Sequence, residues 1–253
     1  MNGTLVLAGR LIRNNLKIPI FFILSISQPI LYLVLFGQLF SKVTPLAGGR
    51  SDSYVEFLAP GMAMLAAMFG SIYSGVGTLA DVDRGMFDRI VTAPVSRASI
   101  AISYLLSTCF LVVLQASVIM IVSMLMGASA PGGIVGTIAV VLIAVLAGIG
   151  FGSVSNALAF VTGHADAIMP LLNFLTLPMM FLSTTMISTD LMPGWIRVAS
   201  LFNPLSWSVS LARDAYTGVW TSQTSLFLVL MLAFSAGALL LMLAAFSRFL
   251  NRR

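Results

Sequence analysis

The sequence predicts an all-α, polytopic membrane protein: six transmembrane helices, an N-terminal amphipathic interface helix and a re-entrant helical hairpin before the last span. Three observations predict it. Of 253 residues, 59% are apolar and only 8% are charged, about a third of the roughly 25% charged content of a soluble domain. Six charge-poor stretches approach or exceed the ~20 apolar residues that a transmembrane helix needs. The basic residues fall unevenly on the two sides of those stretches, as cytoplasmic loops require. Disorder is excluded by the hydrophobicity. A disulfide framework is excluded by the lone Cys109, and a structural zinc site by one cysteine and one histidine, His164. The net charge of +5 reads as a topology signal, and nucleic acid is not an expected partner.

Residues 1–17 form the first element. Leu5, Ala8, Leu11, Ile12 and Leu16 gather on one side of a helical wheel, against Arg10, Arg13, Asn14 and Lys17 on another. Such a basic amphipathic helix lies along the cytoplasmic membrane surface, either as a positive anchor alone or in contact with a cytoplasmic partner.

The first span runs from Ile18 to Phe40. Its 23 residues exceed the ~7–15 of a signal-peptide core, so it is expected to stay as a span. The second runs from Phe57 to Ala80. The third and fourth share the 66-residue charge-free interval from Ala98 to Gly163, with a turn over Gly127–Gly133. The fifth runs from Ala167 to about Thr184 and the sixth from Ser225 to Ser247.

Orientation follows from counting. Arg10, Arg13, Lys17, Arg84, Arg89, Arg97, Arg248, Arg252 and Arg253 make nine on one side, against Lys42, Arg50, Arg197 and Arg213 on the other. Both termini are therefore expected in the cytoplasm. Acidic residues divide four and four and leave the balance unchanged.

Between spans two and three, residues 81–97 carry five charges within nine positions, with Met86, Phe87 and Ile90 at helical spacing and Pro94 closing the short helix. A solvated hinge is one reading; a contact surface is the other, because a cheap connection needs fewer residues. His164 reads as a solvated loop residue, and Asp166 suits the start of span five. Residues 185–220 are too apolar for a free loop and too broken for a span. Asp190 is expected to cap a helix that starts near Pro193 and carries Trp195, Ile196, Ala199, Leu201 and Phe202. Asn203 and Pro204 break it, and a second helix runs from Leu205 to Tyr216. A hairpin dipping into the outer leaflet fits this pattern, since protein cover makes irregular backbone tolerable there.

Catalytic readings mostly fail. The run from Gly70 to Thr78 has phosphate-loop glycine spacing but lacks the lysine that contacts phosphate, so no ATPase site is expected. Ser153 lies eleven residues from His164, about 16 Å along a helix at 1.5 Å per residue, too far for a nucleophile and base. Gly148, Gly152 and Asn156 instead read as a small-residue packing face. The span interiors, with these boundaries, hold no Lys, Arg, Asp or Glu, which argues against an ion-coupled carrier. Gln28, Gln115, Asn156 and Asn173 either line a pathway or make interhelical hydrogen bonds.

Three segments carry a resemblance: Tyr54–Gly61 entering span two; Arg84–Arg89 with Ala93–Arg97; and Phe202–Trp207 followed by Arg213. In this order, over nearly the whole chain, the sequence resembles the ABC type-2 transporter permeases, in particular the drug-resistance and polysaccharide or lipid export branch. The resemblance implies one transmembrane domain over 1–253 in a bacterial plasma (inner) membrane, forming the path for a hydrophobic or amphipathic drug, lipid or glycan. It implies that residues 81–97 touch an ATPase subunit, that ATP and Mg are bound by that partner and no cofactor by this chain, and that two permeases, copies or paralogues, work with two ATPases. Arg84, Met86, Phe87, Asp88, Arg89, Pro94 and Arg97, with Arg10, Arg13 and Lys17, are the expected partner contacts. Trp195, Leu201, Phe202, Asn203, Pro204, Leu205 and Trp207, with Asn156 and Asn173, are the expected path or outer gate, the hairpin being either a moving gate or a static plug. An ion-coupled carrier and a non-transporting membrane scaffold are the other classes.

Overall fold

The computed structural model describes residues 2–17, 19–40, 53–83, 85 and 97–251. It is all-α among them. Helices α1 (Asn2–Lys17), α2 (Pro19–Leu39), α3 (Tyr54–Ile72) and α4 (Ser74–Asp83) are followed by α5 (Arg97–Leu125), α6 (Gly133–Thr162) and α7 (Ala165–Phe181). Then come α8 (Gly194–Leu201), α9 (Pro204–Thr217) and α10 (Ser222–Asn251). Four continuous stretches are long and apolar enough to cross a membrane: Tyr54–Asp83, Ser99–Leu125, Gly133–Thr162 and Ser222–Asn251. Ser25–Leu39 and Ile168–Phe181 are shorter apolar helices.

Helices α3 and α6 form the centre. Every residue of α3 except Gly70 is buried. Helix α6 packs against α3, α4, α5, α7, α9 and α10. The face expected from Gly148, Gly152 and Asn156 is the reason it can. A Cβ at Gly148 would lie 3.0 Å from Val112 Cγ2 and 3.1 Å from Ser71 Oγ, and one at Gly152 3.4 Å from Thr108 Cγ2. Small residues let helix backbones approach where lipid supplies no hydrophobic drive.

Span two departs from expectation in two ways. It starts at Tyr54, capped by Ser53, whose Oγ accepts from the Glu56 amide at 3.2 Å. Glu56 is thereby inside the helix, and at 3% exposure it corrects the expectation of charge-free spans. The stretch also breaks at Tyr73, between α3 and α4. Across that break Ser155 Oγ donates to the Ile72 carbonyl and accepts from the Gly75 amide, so a side chain of α6 satisfies groups at the two helix ends.

The amphipathic helix forms, and part of its apolar side is buried against protein. Leu7, Ala8 and Leu11 are buried, whereas Leu5 is 64% exposed. The cause is docking on protein: Leu7 and Leu11 join Val82, Ile100, Tyr104, Phe160 and Phe246 in one cluster, and Ser103 Oγ donates to the Thr4 carbonyl at 3.1 Å. A wheel built for a lipid surface alone does not place that contact.

Before α8, Asp190 does not cap the helix as expected. It sits in a separate 3₁₀ turn, Thr189–Leu191, while Pro193 takes the N-cap position of α8. Arg197 stitches the two together, donating from Nε to the Thr189 carbonyl at 3.0 Å and from Nη2 to the Asp190 carbonyl at 3.2 Å.

Candidate functional site

The bundle has two distinct ends. At one, α1 meets the end of α4, the start of α5 and the ends of α6 and α10. Tyr104 Oη donates to Asp81 at 3.1 Å, which ties the two helices flanking the charged loop. Of the expected partner contacts, Arg10 and Arg13 are exposed on α1. Lys17 ends α1 and Arg97 opens α5, so both stand at this end by backbone position. Arg84, Met86, Phe87, Asp88, Arg89 and Pro94 lie outside the described residues. The structure thus brings the flanks of the loop and the basic helix to one end of the bundle.

At the opposite end the hairpin packs on the bundle through α9. Asn203 starts that helix, and its Oδ1 accepts from the Leu205 amide at 3.0 Å, an N-cap that satisfies an otherwise orphan donor. Its Nδ2 donates to the Met179 carbonyl at 2.7 Å, holding the end of α7. Pro204 occupies the first turn, where its missing N–H costs nothing. Helix α9 then buries Leu205, Val209, Leu211, Ala212 and Tyr216. Its C-terminus lies directly on the start of α6: a Cβ at Gly132 or Gly136 would come within 2.7 or 2.8 Å of carbonyl oxygens of Tyr216 or Ala215.

The expected gate residues separate into two groups. Trp195, Leu201 and Phe202 are exposed, forming an apolar surface with Val198. Leu205 is fully buried, and Trp207 is half-buried, with its indole N–H donating to the Leu201 carbonyl at 2.7 Å. Asn156 is fully buried: Nδ2 donates to Ser74 Oγ at 2.9 Å and to the Gly152 carbonyl at 2.8 Å, and Oδ1 accepts from Thr78 at 2.6 Å. It makes the interhelical bonds of the alternative reading. Asn173 is exposed on α7 and accepts from Tyr73 Oη at 3.2 Å.

A cluster that sequence reasoning missed joins the first and third motif segments. The Arg213 guanidinium lies over the Phe57 ring, 3.6 Å from its centroid, and donates to the Phe57 carbonyl at 3.1 Å and the Thr185 carbonyl at 2.7 Å. Gly61 allows this approach, since a Cβ there would meet Thr185 O at 2.9 Å. Beside it, Ser129 Oγ donates to Glu56 Oε2 at 2.8 Å, Tyr216 Oη donates to the Ser129 carbonyl at 2.7 Å, and Thr224 Oγ1 donates to Asp214 at 2.6 Å. Burial, and next the Glu56 carboxylate, push the Tyr216 phenol up to about 12, so it stays a donor. Glu56, Arg213 and Asp214 border one cavity of about 280 Å³. The signal was in the sequence: Ser53 and Glu56 have capping-box spacing, which moves the helix start ahead of the glutamate.

The run from Gly70 to Thr78 lies in α3 and α4, within the bundle, and a Cβ at Gly70 would collide with the Gln115 amide.

Comparison with known proteins gives a family and relatives. The family model described as "ABC-2 type transporter" matches residues 2–217. The ycf38 protein of Cyanophora paradoxa, which carries a transport-permease name, is 30% identical over 243 residues, covering 95% of this chain and 83% of that one. Its counterpart in Porphyra purpurea is 32% identical over 213 residues, 83% and 72% of the two chains. The daunorubicin resistance ABC transporter permease protein DrrB1 of Streptomyces coeruleorubidus is 24% identical over 200 residues, 79% and 70%.

Proposed function

This chain belongs to the ABC-2 type transporter family, and on that premise we propose that it forms half of the translocation path of an exporter. As a permease of that family it is a multi-pass membrane protein without an ATPase site, and hydrolysis belongs to an ABC ATPase partner. The single observation that carries the reading is the family match over residues 2–217.

In the proposed arrangement α2 and α7 span the membrane with the four longer stretches. The packing supports this. Just past the end of α2, Phe40 meets Tyr54 at the start of α3 edge to face, with ring centroids 5.5 Å apart, and the end of α7 is held at the hairpin by Asn203. Six crossings then put α1 and the end of α10 on one side. The nine-to-four basic asymmetry makes that side the cytoplasm, in a bacterial plasma membrane. Residues 185–220 face outward.

The loop over 81–97 docks the ATPase partner, with Phe87 as an apolar anchor and Arg84, Asp88 and Arg89 setting orientation. Arg10, Arg13 and Lys17 on the neighbouring helix support that contact. The exposed surface of Trp195, Leu201 and Phe202 meets a second permease copy, and the hairpin forms an apolar gate where the two copies meet. Asn173, exposed beside Tyr73, lines the path. The cargo is a hydrophobic or amphipathic molecule, a reading supported by the drug-resistance permease among the relatives.

Co-purification tests the coupling part. Phe87→Ala is expected to cut recovery of the ATPase partner at least tenfold while membrane insertion stays intact. Equal recovery with unchanged transport would make the loop a solvated hinge.

A further inference from the structure

We infer that the hairpin end of each chain carries a binding site for an organic ammonium group, formed by Glu56, Asp214 and Thr184 around the cavity of about 280 Å³. It goes beyond the transport reading, because it is a property of the single chain whether or not the occupant is carried.

Glu56 is the starting point. A carboxylate has about four acceptor directions, and an ionised group removed from water is costly unless paired. Glu56 is 3% exposed and accepts one side-chain bond among the described residues, from Ser129 at 2.8 Å. Capping-box spacing would have let it turn back on its own helix, yet the carboxylate reaches across to the α5–α6 turn.

Among the described residues the cavity lining has two acidic groups, Glu56 and Asp214, and one basic group, Arg213. Arg213 is already committed to two carbonyl oxygens and the Phe57 ring. The balance therefore favours a cation. Thr184 supplies the independent observation. It is 3% exposed, it borders this cavity, and its Oγ1 has no hydrogen-bond partner among the described residues. A buried hydroxyl normally has a partner, and an ammonium N–H is one it can accept. Pro60 and Val219 give the same cavity an apolar wall, suited to a short alkyl stem. The volume is at the low end of the roughly 300–1,000 Å³ of small-molecule sites, so it takes a head group and the start of a tail. A free hydrophobic amine and a phosphatidylethanolamine head group share that chemistry.

Calorimetric titration of the full chain in dodecyl maltoside micelles, which bring no nitrogen, tests it with hexylamine, hexanol and hexanoate. Saturable hexylamine binding, at least ten times tighter than either of the others, is expected. Glu56→Gln should weaken it at least tenfold, and Thr184→Val about threefold, with unchanged gel-filtration profiles. Adding phosphatidylethanolamine identifies the source: a tenfold weaker hexylamine affinity marks the lipid head group as occupant, and an unchanged one marks the free amine. Equal binding of hexylamine and hexanol by the unmodified chain would overturn the site, as would full retention by a folded Glu56→Gln.

Discussion

Arg213 covers the face of Phe57 at 3.6 Å and donates to that residue's own carbonyl, so one guanidinium on α9 fixes both the backbone and the side chain at the start of α3. A further bond to the Thr185 carbonyl brings in the segment after α7. Three parts of the chain far apart in sequence are joined by one side chain.

Removing that side chain should loosen the hairpin end. Each charge-assisted bond contributes about 1.5–3 kcal/mol, and a cation over an aromatic face about 0.5–2 kcal/mol. Because the residue is half-exposed and the contributions of one side chain do not add fully, Arg213→Ala is expected to lower stability by about 2–4 kcal/mol, less than their sum. Arg213→Lys should fall between, because an ammonium lacks the planar fork that serves two carbonyl oxygens and a ring together. Thermal unfolding of the purified chain in detergent checks the order.

Gly75 tests the break between α3 and α4. A Cβ there would come within 2.5 Å of the Ser155 carbonyl oxygen, whereas one at Gly77 meets nothing within 4 Å. Gly75→Ala should destabilise by about 1–3 kcal/mol through overpacking. Gly77→Ala, in the same helix, should be neutral or slightly stabilising, because alanine is the better helix former. Equal melting of the two variants would show that α4 does not hold its close seat on α6.

Asn203 has two separable tasks. Asn203→Asp keeps the oxygen that caps α9 but loses the Nδ2 donor to Met179; Asn203→Ala loses both. The alanine variant should cost about 0.5–2 kcal/mol for the cap and the aspartate variant less. Hydrogen exchange should show faster exchange near Leu205 in the alanine variant only, and a loosened 180–185 segment in both.

Much of this architecture was legible in the sequence, because lipid simplifies the code. Charge gaps marked the apolar helices, the glycines before Gly133 marked the α5–α6 turn, and the Asn203–Pro204 break marked the start of α9. What was missed depends on tertiary contact. The wheel for α1 leaves out Leu7, which docks on protein together with Leu11. In the sequence Glu56 reads as the boundary of span two; in the fold its carboxylate is buried against Ser129, a partner 73 residues away. Apolarity does not separate the apolar gate residues from one another, but helical phase does, turning Leu205 inward and leaving Phe202 outside. Ser200 is buried, so Val198, exposed beside the apolar surface, is the position from which a label would report hairpin movement.

This chain is expected to move a hydrophobic or amphipathic molecule only when an ABC ATPase partner hydrolyses ATP. Proteoliposomes containing the chain with and without that partner, loaded with a fluorescent amphiphile, measure it directly. The expected result is ATP-dependent movement with both chains present, none with the permease alone, and none when the partner's phosphate-loop lysine is replaced. Movement by the permease alone, driven by a proton or sodium gradient and indifferent to ATP, would contradict it.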